Sequence, residues 1–249
     1  MKAFVRIVTE ICLLFLCPFQ LSAQSENKIN HQTQTWLSLN NTIRLKYKFG
    51  LLADFHVRRN DFVAEPSFYL VRGGLNYWFK DNITFAMGYA HMWLRPRKPG
   101  YRTYSDENRI YEQAQMTCNL GKINILQRLR NEQRWQEILA IDQNTHQYKF
   151  SNRIRYLISV TFPIAKNKKI PSPVLTNEFS IQFGKAIVHN IFDQDRLFIG
   201  IKQNILKNLS FDLGYMLVLQ QKFPGSIYDV NNTFRWFFYY TPDWRTKHS

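Results

Sequence analysis

The stretch QRLRNEQRW, residues 127–135, carries charged side chains at alternate positions: Arg128, Arg130, Glu132 and Arg134. Side chains two residues apart lie on one face of a β-strand, so these four would form one charged row. Arginines in such a row can form ion pairs with carboxylates, and an excess of them can attract anions. An amphipathic helix is the alternative interpretation, because Arg128 and Glu132 are also one helical turn apart.

Neighbouring stretches carry charges with the same two-residue spacing, which favours the strand. The charges predicted to share one inner face are Arg58, Glu107, Arg109, Arg128, Arg130, Glu132, Arg134, Arg153, Arg155, Glu178 and Arg196, with Asp54, Arg72, Lys202 and Asp212 as further members. Buried arginines that bond to carboxylates would lock the register of the strands. The cations outnumber the acids, so the same face would also favour anions.

Other chemistry has weaker support in the sequence. Glu107 and Glu132 are candidates for a general acid and base, but the nearby arginines favour ion pairing. His56 and His91 have no spacing that fixes a distance to a nucleophile such as Ser67. The six histidines are scattered and show no zinc-ligand spacing. We therefore predict no catalytic residue, no metal ligand and no cofactor, and a protein that is not an enzyme.

Apolar and polar residues alternate over most of the chain, which predicts β-strands. The predicted strands cover residues 35–45, 48–58, 66–79, 82–95, 107–119, 122–136, 148–162, 174–184, 195–206, 209–221 and 230–240. Bacterial outer-membrane barrels have even strand numbers, so we expect a wall of ten or twelve. The long polar connections predicted between strands are 60–65, 96–106, 137–147, 163–173, 184–194 and 222–229.

Alternation alone fits a soluble barrel as well as a membrane barrel, and the aromatic residues favour the second. They cluster at strand ends, at Tyr77–Phe79, at Tyr89 and Trp93, and at Trp236–Tyr240. Tyrosine and tryptophan at these positions are typical of the girdles of membrane barrels. Three polar residues fall on the predicted lipid side, Glu112, Asn131 and Gln133, and a β-bulge or a strand projecting beyond the bilayer would explain them.

The chain has 249 residues and a formal net charge of +15. Residues 1–23 have the layout of a secretory signal peptide, with Lys2 and Arg6 before a short apolar run. We predict an N-terminal periplasmic segment at 24–34, an outer-membrane β-barrel at 35–241 and a polar tail at 242–249. Removal of the signal peptide would leave Cys118 as the one cysteine, so no internal disulfide is expected.

Several short motifs together resemble a known family. They are RLRNEQR (128–134), ENR (107–109), GY (88–89 and 214–215), RIRY (153–156), NEF (177–179) and DRLFIGI (195–201). In order and spacing they resemble the Bacteroidetes outer-membrane β-barrel family catalogued as domain of unknown function 2490. The resemblance covers roughly residues 33–240 and implies a fold and a location in the outer membrane, but no reaction.

The sequence thus predicts an all-β protein, an antiparallel transmembrane β-barrel of about 10–12 strands with a polar, Arg/Glu-rich lumen. Its expected role is a structural scaffold or a narrow, weakly anion-preferring pore. The expected partners are outer-membrane lipid, lipopolysaccharide (through the basic stretch 95–102) and small anionic solutes, with no nucleic acid. The alternatives are a lipid-modifying outer-membrane enzyme and a soluble periplasmic β-barrel that binds an apolar ligand.

Overall fold

The computed structural model describes residues 28–96, 100–165 and 170–245, which form a single closed β-barrel. Its strands are β1 (Lys28–Lys46), β2 (Phe49–Asn60), β3 (Glu65–Lys80), β4 (Ile83–Leu94), β5 (Ser105–Leu120), β6 (Ile123–Ala140), β7 (Gln143–Thr161), β8 (Ser172–Phe183), β9 (Phe192–Leu206), β10 (Leu209–Gln221) and β11 (Ile227–Tyr240). No helix in the described ranges is long and apolar enough to cross a membrane. The predicted all-β barrel is confirmed, and the predicted signal peptide 1–23 lies outside the described residues.

The barrel closes where β1 runs parallel to β11, with Lys28 opposite Ile227 and Asn41 opposite Tyr240. The other ten neighbouring pairs are antiparallel. Eleven strands of alternating direction leave the first and the last pointing the same way, so one parallel pair is required. The predicted count of about 10–12 strands is confirmed, but the wall has eleven strands rather than an even number, and one of its pairs is parallel. β1 already belongs to the wall from Lys28, whereas the sequence placed the first strand from residue 35.

The two faces of the wall differ in chemistry. Large apolar side chains are exposed on the outside of every strand, among them Leu39, Leu51, Leu75, Met87, Ile110, Leu129, Tyr156, Leu175, Ile199, Tyr215 and Trp236. Most charged and amide side chains of the strands point inward, and Glu107, Glu132 and Glu178 are buried there at 4% exposure or less. One aromatic prediction is corrected: Tyr77 and Phe79 face outward, but Trp78 lies between them on the inner side, where it contacts Arg44.

The connections define two ends of the barrel. The loop end carries 61–64, 95–96, 100–104, 141–142, 184–191 and 222–226, and the turn end carries 47–48, 81–82, 121–122, 162–165, 170–171 and 207–208. Most of the predicted long connections lie at the loop end. The long connection predicted at 137–147 is wrong, because β6 and β7 continue to a two-residue turn at Ile141 and Asp142.

Glu137 stabilises the end of the β6–β7 hairpin, where these two strands extend beyond their neighbours. Its side chain is buried and accepts hydrogen bonds from the Asn144 amide (3.0 Å) and the His146 backbone (3.1 Å). Ile141 and Asp142 both have positive φ, 46° and 57°, which is the conformation of the two-residue turn that matches strand twist. Asn-Gly or Asp-Gly usually forms this turn, so the Ile-Asp pair found here was not recognisable as one.

An apolar cluster occupies one side of the interior. It consists of Trp36, Val174, Phe198, Met216 and Val218, with Phe237 packed against it. These side chains share the inner face of β1 and β8–β11 with charged neighbours, among them Lys202, Asp212 and Arg235. The predicted polar, Arg/Glu-rich lumen is confirmed, and it contains an apolar patch that the sequence did not show.

Candidate functional site

A cavity of about 1130 Å³ lies inside the barrel and is lined by side chains from all eleven strands. Its lining reaches from Tyr101 and Glu65 at the loop end to Asn204 and Thr241 at the turn end. Twelve Arg and Lys side chains line it, against seven Asp and Glu side chains. The cavity is the candidate functional site because it combines a large volume with a marked excess of positive charge.

All residues predicted for the charged face line this cavity. They are Arg58, Glu107, Arg109, Arg128, Arg130, Glu132, Arg134, Arg153, Arg155, Glu178 and Arg196, together with Asp54, Arg72, Lys202 and Asp212. The QRLRNEQRW stretch lies within β6, so the strand interpretation is correct and the helix interpretation is wrong.

Glu132 of β6 is the centre of the largest group of charged side chains in the cavity. Arg153 donates from Nε to its Oε2 (2.9 Å), and Arg155 donates from Nη1 to its Oε1 (2.7 Å). Arg109 approaches Oε2 at 3.4 Å and Arg130 approaches Oε1 at 3.7 Å. One buried carboxylate therefore has four arginines around it, and its negative charge is more than compensated.

Glu107 and Glu178 extend the network to both sides. The Glu107 carboxylate accepts from Nε of Arg109 and of Arg134, both at 2.7 Å. The Glu178 carboxylate accepts from Arg128 (2.7 Å), Arg155 (2.6 Å) and Arg196 (2.8 Å). The side chains of the network are Glu107, Arg109, Arg128, Arg130, Glu132, Arg134, Arg153, Arg155, Glu178, Asp193 and Arg196. Seven arginines thus share four carboxylates, and we call this set the arginine network.

Two further ion pairs stand apart from the arginine network. Arg72 bonds to Asp54 on the neighbouring strand. Arg235 bonds to Asp212 at 2.7 Å, and the Tyr239 hydroxyl donates to the same carboxylate at 2.6 Å. Sequence reasoning missed Arg235, although it keeps the two-residue spacing of β11 with Thr233 and Phe237.

Asp193, in the arginine network, was also missed by sequence reasoning. It is 4% exposed and accepts from Nη1 of Arg153 at 2.9 Å. The predicted polar connection covered residues 184–194 and the predicted strand began at residue 195, so Asp193 was assigned to the connection. Starting β9 at Phe192 brings it into the wall.

Arg58 differs from the other arginines of the cavity. Its Cζ lies 3.2 Å from the centre of the Trp36 ring and 4.2 Å from that of Phe68. Its Nε is buried without a hydrogen-bond partner, and no carboxylate of the described residues forms an ion pair with it. Two aromatic rings therefore hold its charge in place without neutralising it.

The three polar residues predicted on the outer face are indeed there. Asn131 donates to Glu112 at 3.1 Å, and Gln133 donates to both of its carboxylate oxygens at 3.2 Å. The pairing of β5 with β6 shows no register shift, so a bulge between these strands does not explain them. They satisfy one another on the surface of the wall.

The structure does not bring the candidate catalytic residues together. His56 and Ser67 belong to the cavity side of the wall, whereas His91 lies on the outer side, where its Nδ1 is 2.9 Å from Oδ1 of Asn108. The two candidate carboxylates, Glu107 and Glu132, are each bonded to arginines. These contacts occupy both carboxylates, which suits ion pairing better than proton transfer.

Comparison with known proteins gives one family. The model of the family described as "Protein of unknown function (DUF2490)" matches residues 33–229. This range runs from β1 into β11 and contains every residue of the arginine network. No curated protein shows a significant match to the chain.

Proposed function

The chain belongs to the DUF2490 family, and we propose that it is an outer-membrane β-barrel whose lumen is a narrow conduit with a preference for small anions. The arginine network is the structural element that holds the wall together and narrows this lumen. The proposal assigns no catalytic role to the protein. The cavity with its excess of cationic side chains is the observation that carries it.

The distribution of side chains supports a membrane location. Apolar groups such as Leu75 (60%), Met87 (58%) and Ile199 (62%) are exposed on the outside, and the charges are inside. A soluble barrel has the opposite arrangement, because it buries its apolar face. An arginine facing lipid at mid-depth costs about 2–4 kcal/mol, and the arginine network avoids this cost by facing inward.

Aromatic side chains at both ends of the wall support the same location. Tyr89 and Trp93 lie on the outside towards the loop end, and Phe49, Tyr77 and Phe79 lie towards the turn end. Rings with one polar edge are favourable at the level of lipid headgroups. The strands have 12 to 19 residues, which is longer than the typical strand of a soluble sheet and sufficient for a tilted span.

The charge of the lining supports a preference for anions. Rings of Arg or Lys select for anions in pores, because each cation lowers the energy of an anion in a narrow channel. The acids of the cavity are mostly neutralised in pairs, so the surplus comes from the arginine network, Arg58 and Lys202. Long arginine side chains also occupy much of the space, so only small solutes are expected to pass.

Recordings from the refolded protein in planar lipid bilayers test the conduit. We expect small, stable current steps and a reversal potential in a KCl gradient that is shifted towards that of chloride. Lys202→Glu should weaken the anion preference, because it reverses a charge in the lining. Lys122→Glu is the matched control, since it makes the same change in the turn at 121–122, outside the cavity lining.

Two results would contradict parts of this proposal. A folded protein that never conducts would leave a plugged scaffold, and the conduit would have to be abandoned. A monomer that stays soluble without detergent would contradict the membrane location itself. Fractionation of the source cells, with the protein recovered among the outer membranes, is the direct test of that location.

A further inference from the structure

We propose that Arg58 is the anchor of a binding site inside the lumen for a small organic anion, one with a carboxylate or phosphate group on an apolar body. This inference deepens the proposed function, because it gives the conduit a specific ligand class. It also stands on its own geometry, since a binding site requires a cavity but not a continuous path through the barrel.

The Arg58 guanidinium is held in place by aromatic rings but is not neutralised by an acid. Its planar group is held by Trp36 and Phe68, and Trp36 is itself fixed by a hydrogen bond from its indole Nε1 to Oε1 of Gln34 at 2.9 Å. Most other arginines of the cavity use their donors on carboxylates. Arg58 forms no hydrogen bond or ion pair with any described residue, although it lines the cavity.

The protein does not compensate the charge of the Arg58 guanidinium, although this charge is costly to desolvate. The Arg58 side chain is only partly exposed and its Nε is buried, so its charge is partly desolvated without a counter-ion, which favours a ligand that provides the opposite charge. The fork of a guanidinium matches a carboxylate or phosphate through two parallel hydrogen bonds. Stacking on rings leaves the edge of the group, with its N–H donors, available for this geometry.

A second arginine belongs to the same place. The Cζ of Arg196 lies 5.0 Å from the centre of the Trp36 ring, and its Nε is buried without a hydrogen-bond partner. Arg196 gives one donor to Glu178 and keeps others free of described partners. Two guanidinium groups on one indole ring produce a local concentration of positive charge that an anion would relieve.

The apolar cluster defines the rest of the ligand. Trp36 belongs to the apolar cluster with Phe198, Met216 and Val218, and these side chains line the same cavity as Arg58. A ligand bound to Arg58 would therefore place its body against apolar side chains. The volume of about 1130 Å³ is at the upper limit of small-molecule sites and exceeds what an inorganic ion needs.

The test measures binding directly, by calorimetric titration of the purified barrel in detergent. The probes are benzoate and phenyl phosphate as apolar anions, with acetate and inorganic phosphate as their counterparts without an apolar body. We expect saturable binding of at least one apolar anion, tighter by about tenfold or more than its small counterpart. The ratio between benzoate and phenyl phosphate then distinguishes a carboxylate site from a phosphate site.

Variants assign the binding to Arg58. Arg58→Gln should weaken binding by roughly tenfold to a hundredfold, the effect of losing a charge-assisted hydrogen-bonded pair. Arg58→Lys keeps the charge but loses the planar fork, so it should bind measurably more weakly than the wild type. Lys122→Gln removes one positive charge in a turn outside the cavity lining and should bind like the wild type. The folded state of each variant is checked by its migration on unheated gels.

The outcomes are distinguishable from those of the conduction test. Absence of saturable binding, or binding that Arg58→Gln and Arg58→Lys leave unchanged in folded protein, would overturn the site. Equal affinity for benzoate and acetate, and for phenyl phosphate and phosphate, would overturn the apolar body of the ligand. Binding in a protein that does not conduct would contradict the conduit and leave the site standing.

Discussion

Glu132 of β6 lies directly opposite Arg153 of β7 in the strand register, and Nε of the arginine donates to Oε2 of the carboxylate at 2.9 Å. Both side chains are almost fully buried, at 2% and 4% exposure. The pair therefore joins two adjacent strands through their side chains as well as their backbones. A slip of one residue by either strand would turn its own charge towards the apolar outer face and leave the partner charge inside, so the pair also fixes the register.

The first prediction concerns this pair. Glu132→Gln or Arg153→Gln should lower the free energy of unfolding by about 3–5 kcal/mol, because each leaves a buried charge without its partner. Replacement of both residues by leucine should recover part of the loss, since neither charge is then left unpaired. The measurement is the denaturant midpoint in detergent, followed by tryptophan fluorescence.

Arg130 provides the matched control for the first prediction. Its guanidinium hydrogen bonds to the neutral amide oxygen of Gln113 (Nε at 3.0 Å) and lies 3.7 Å from Glu132. Arg130→Gln leaves Glu132 with Arg153 and Arg155, so it should cost less than Arg153→Gln. Equal denaturant midpoints for Glu132→Gln, Arg153→Gln and Arg130→Gln would contradict the role of the arginine network in stability.

The second prediction concerns the parallel seam between β1 and β11. Leu37 is opposite Trp236, and both side chains are 39% exposed on the outer face. In a Cys118→Ser background, Leu37→Cys with Trp236→Cys should be joined by a short bifunctional thiol reagent. The control pair, Asn41→Cys with Trp236→Cys, is offset by four residues, about 13 Å along the strand, and should not be joined.

Opposite results for the two cysteine pairs would place β11 in a different register against β1. A lack of cross-linking in both would indicate that the seam is open in solution. Gel migration of the cross-linked protein after unfolding gives the answer, because an internal link shortens the unfolded chain.

The strands themselves could be predicted from the sequence, because alternation is a local property. The predicted 209–221 coincides with β10, and most other strands differ by a few residues at either end. The pairing of β1 with β11 could not be predicted from alternation. It depends on which strands are neighbours after closure, and Trp36 opposite Arg235 is a contact between residues far apart in sequence.

Most members of the candidate site could be predicted, apart from Asp193 and Arg235, but its bonds could not. Arginines and acids at two-residue spacing identified the inner face, and every such residue lines the cavity. The sequence did not show that Glu132 bonds to Arg153 and Arg155 in preference to Arg130, because that depends on cross-strand geometry. It also did not show that Arg58 lacks an acid, since Trp36 reaches it from a neighbouring strand.

The third prediction concerns the glycines of β3 and β4. Gly74 pairs with Gly88, and a Cβ at Gly74 would lie 2.6 Å from the Tyr111 hydroxyl and 2.5 Å from the Met87 carbonyl oxygen. The two glycines therefore make room for the Tyr111 ring inside the barrel. Gly74→Ala should destabilise the barrel by about 1–3 kcal/mol, the usual cost of overpacking.

The adjacent Gly73 provides the control for this effect. A Cβ at Gly73 would have only the Leu52 carbonyl oxygen within reach, at 4.0 Å, so Gly73→Ala should be nearly neutral. Tyr111→Phe removes the hydroxyl and should relieve part of the cost in the Gly74→Ala background. Equal denaturant midpoints for the two alanine variants would exclude overpacking as the reason for the glycine.

The fourth prediction is a pH dependence at the loop end. The Asp142 carboxylate, in the turn between β6 and β7, accepts from the backbone N–H groups of Thr103 (2.7 Å) and Arg102 (2.9 Å). These bonds lower the pKa of Asp142, because they stabilise the charged form. These bonds attach the segment around Arg102 and Thr103 to the turn between β6 and β7, which we call loop docking. Loop docking should be complete above the ordinary pKa of an aspartate, about 3.9, and should weaken as the pH falls through the lowered pKa of Asp142.

Hydrogen exchange at the backbone of Arg102 and Thr103 measures this docking. Protection should be constant near neutral pH and fall in acid, after correction for the intrinsic exchange rate. Asp142→Asn tolerates the left-handed backbone at φ 57° but cannot ionise, so its protection should be lower and should no longer depend on pH. Asp61→Asn, in the turn at 61–64, is the matched control and should leave the loop unchanged. Unaltered pH dependence in Asp142→Asn would show that another group controls the loop.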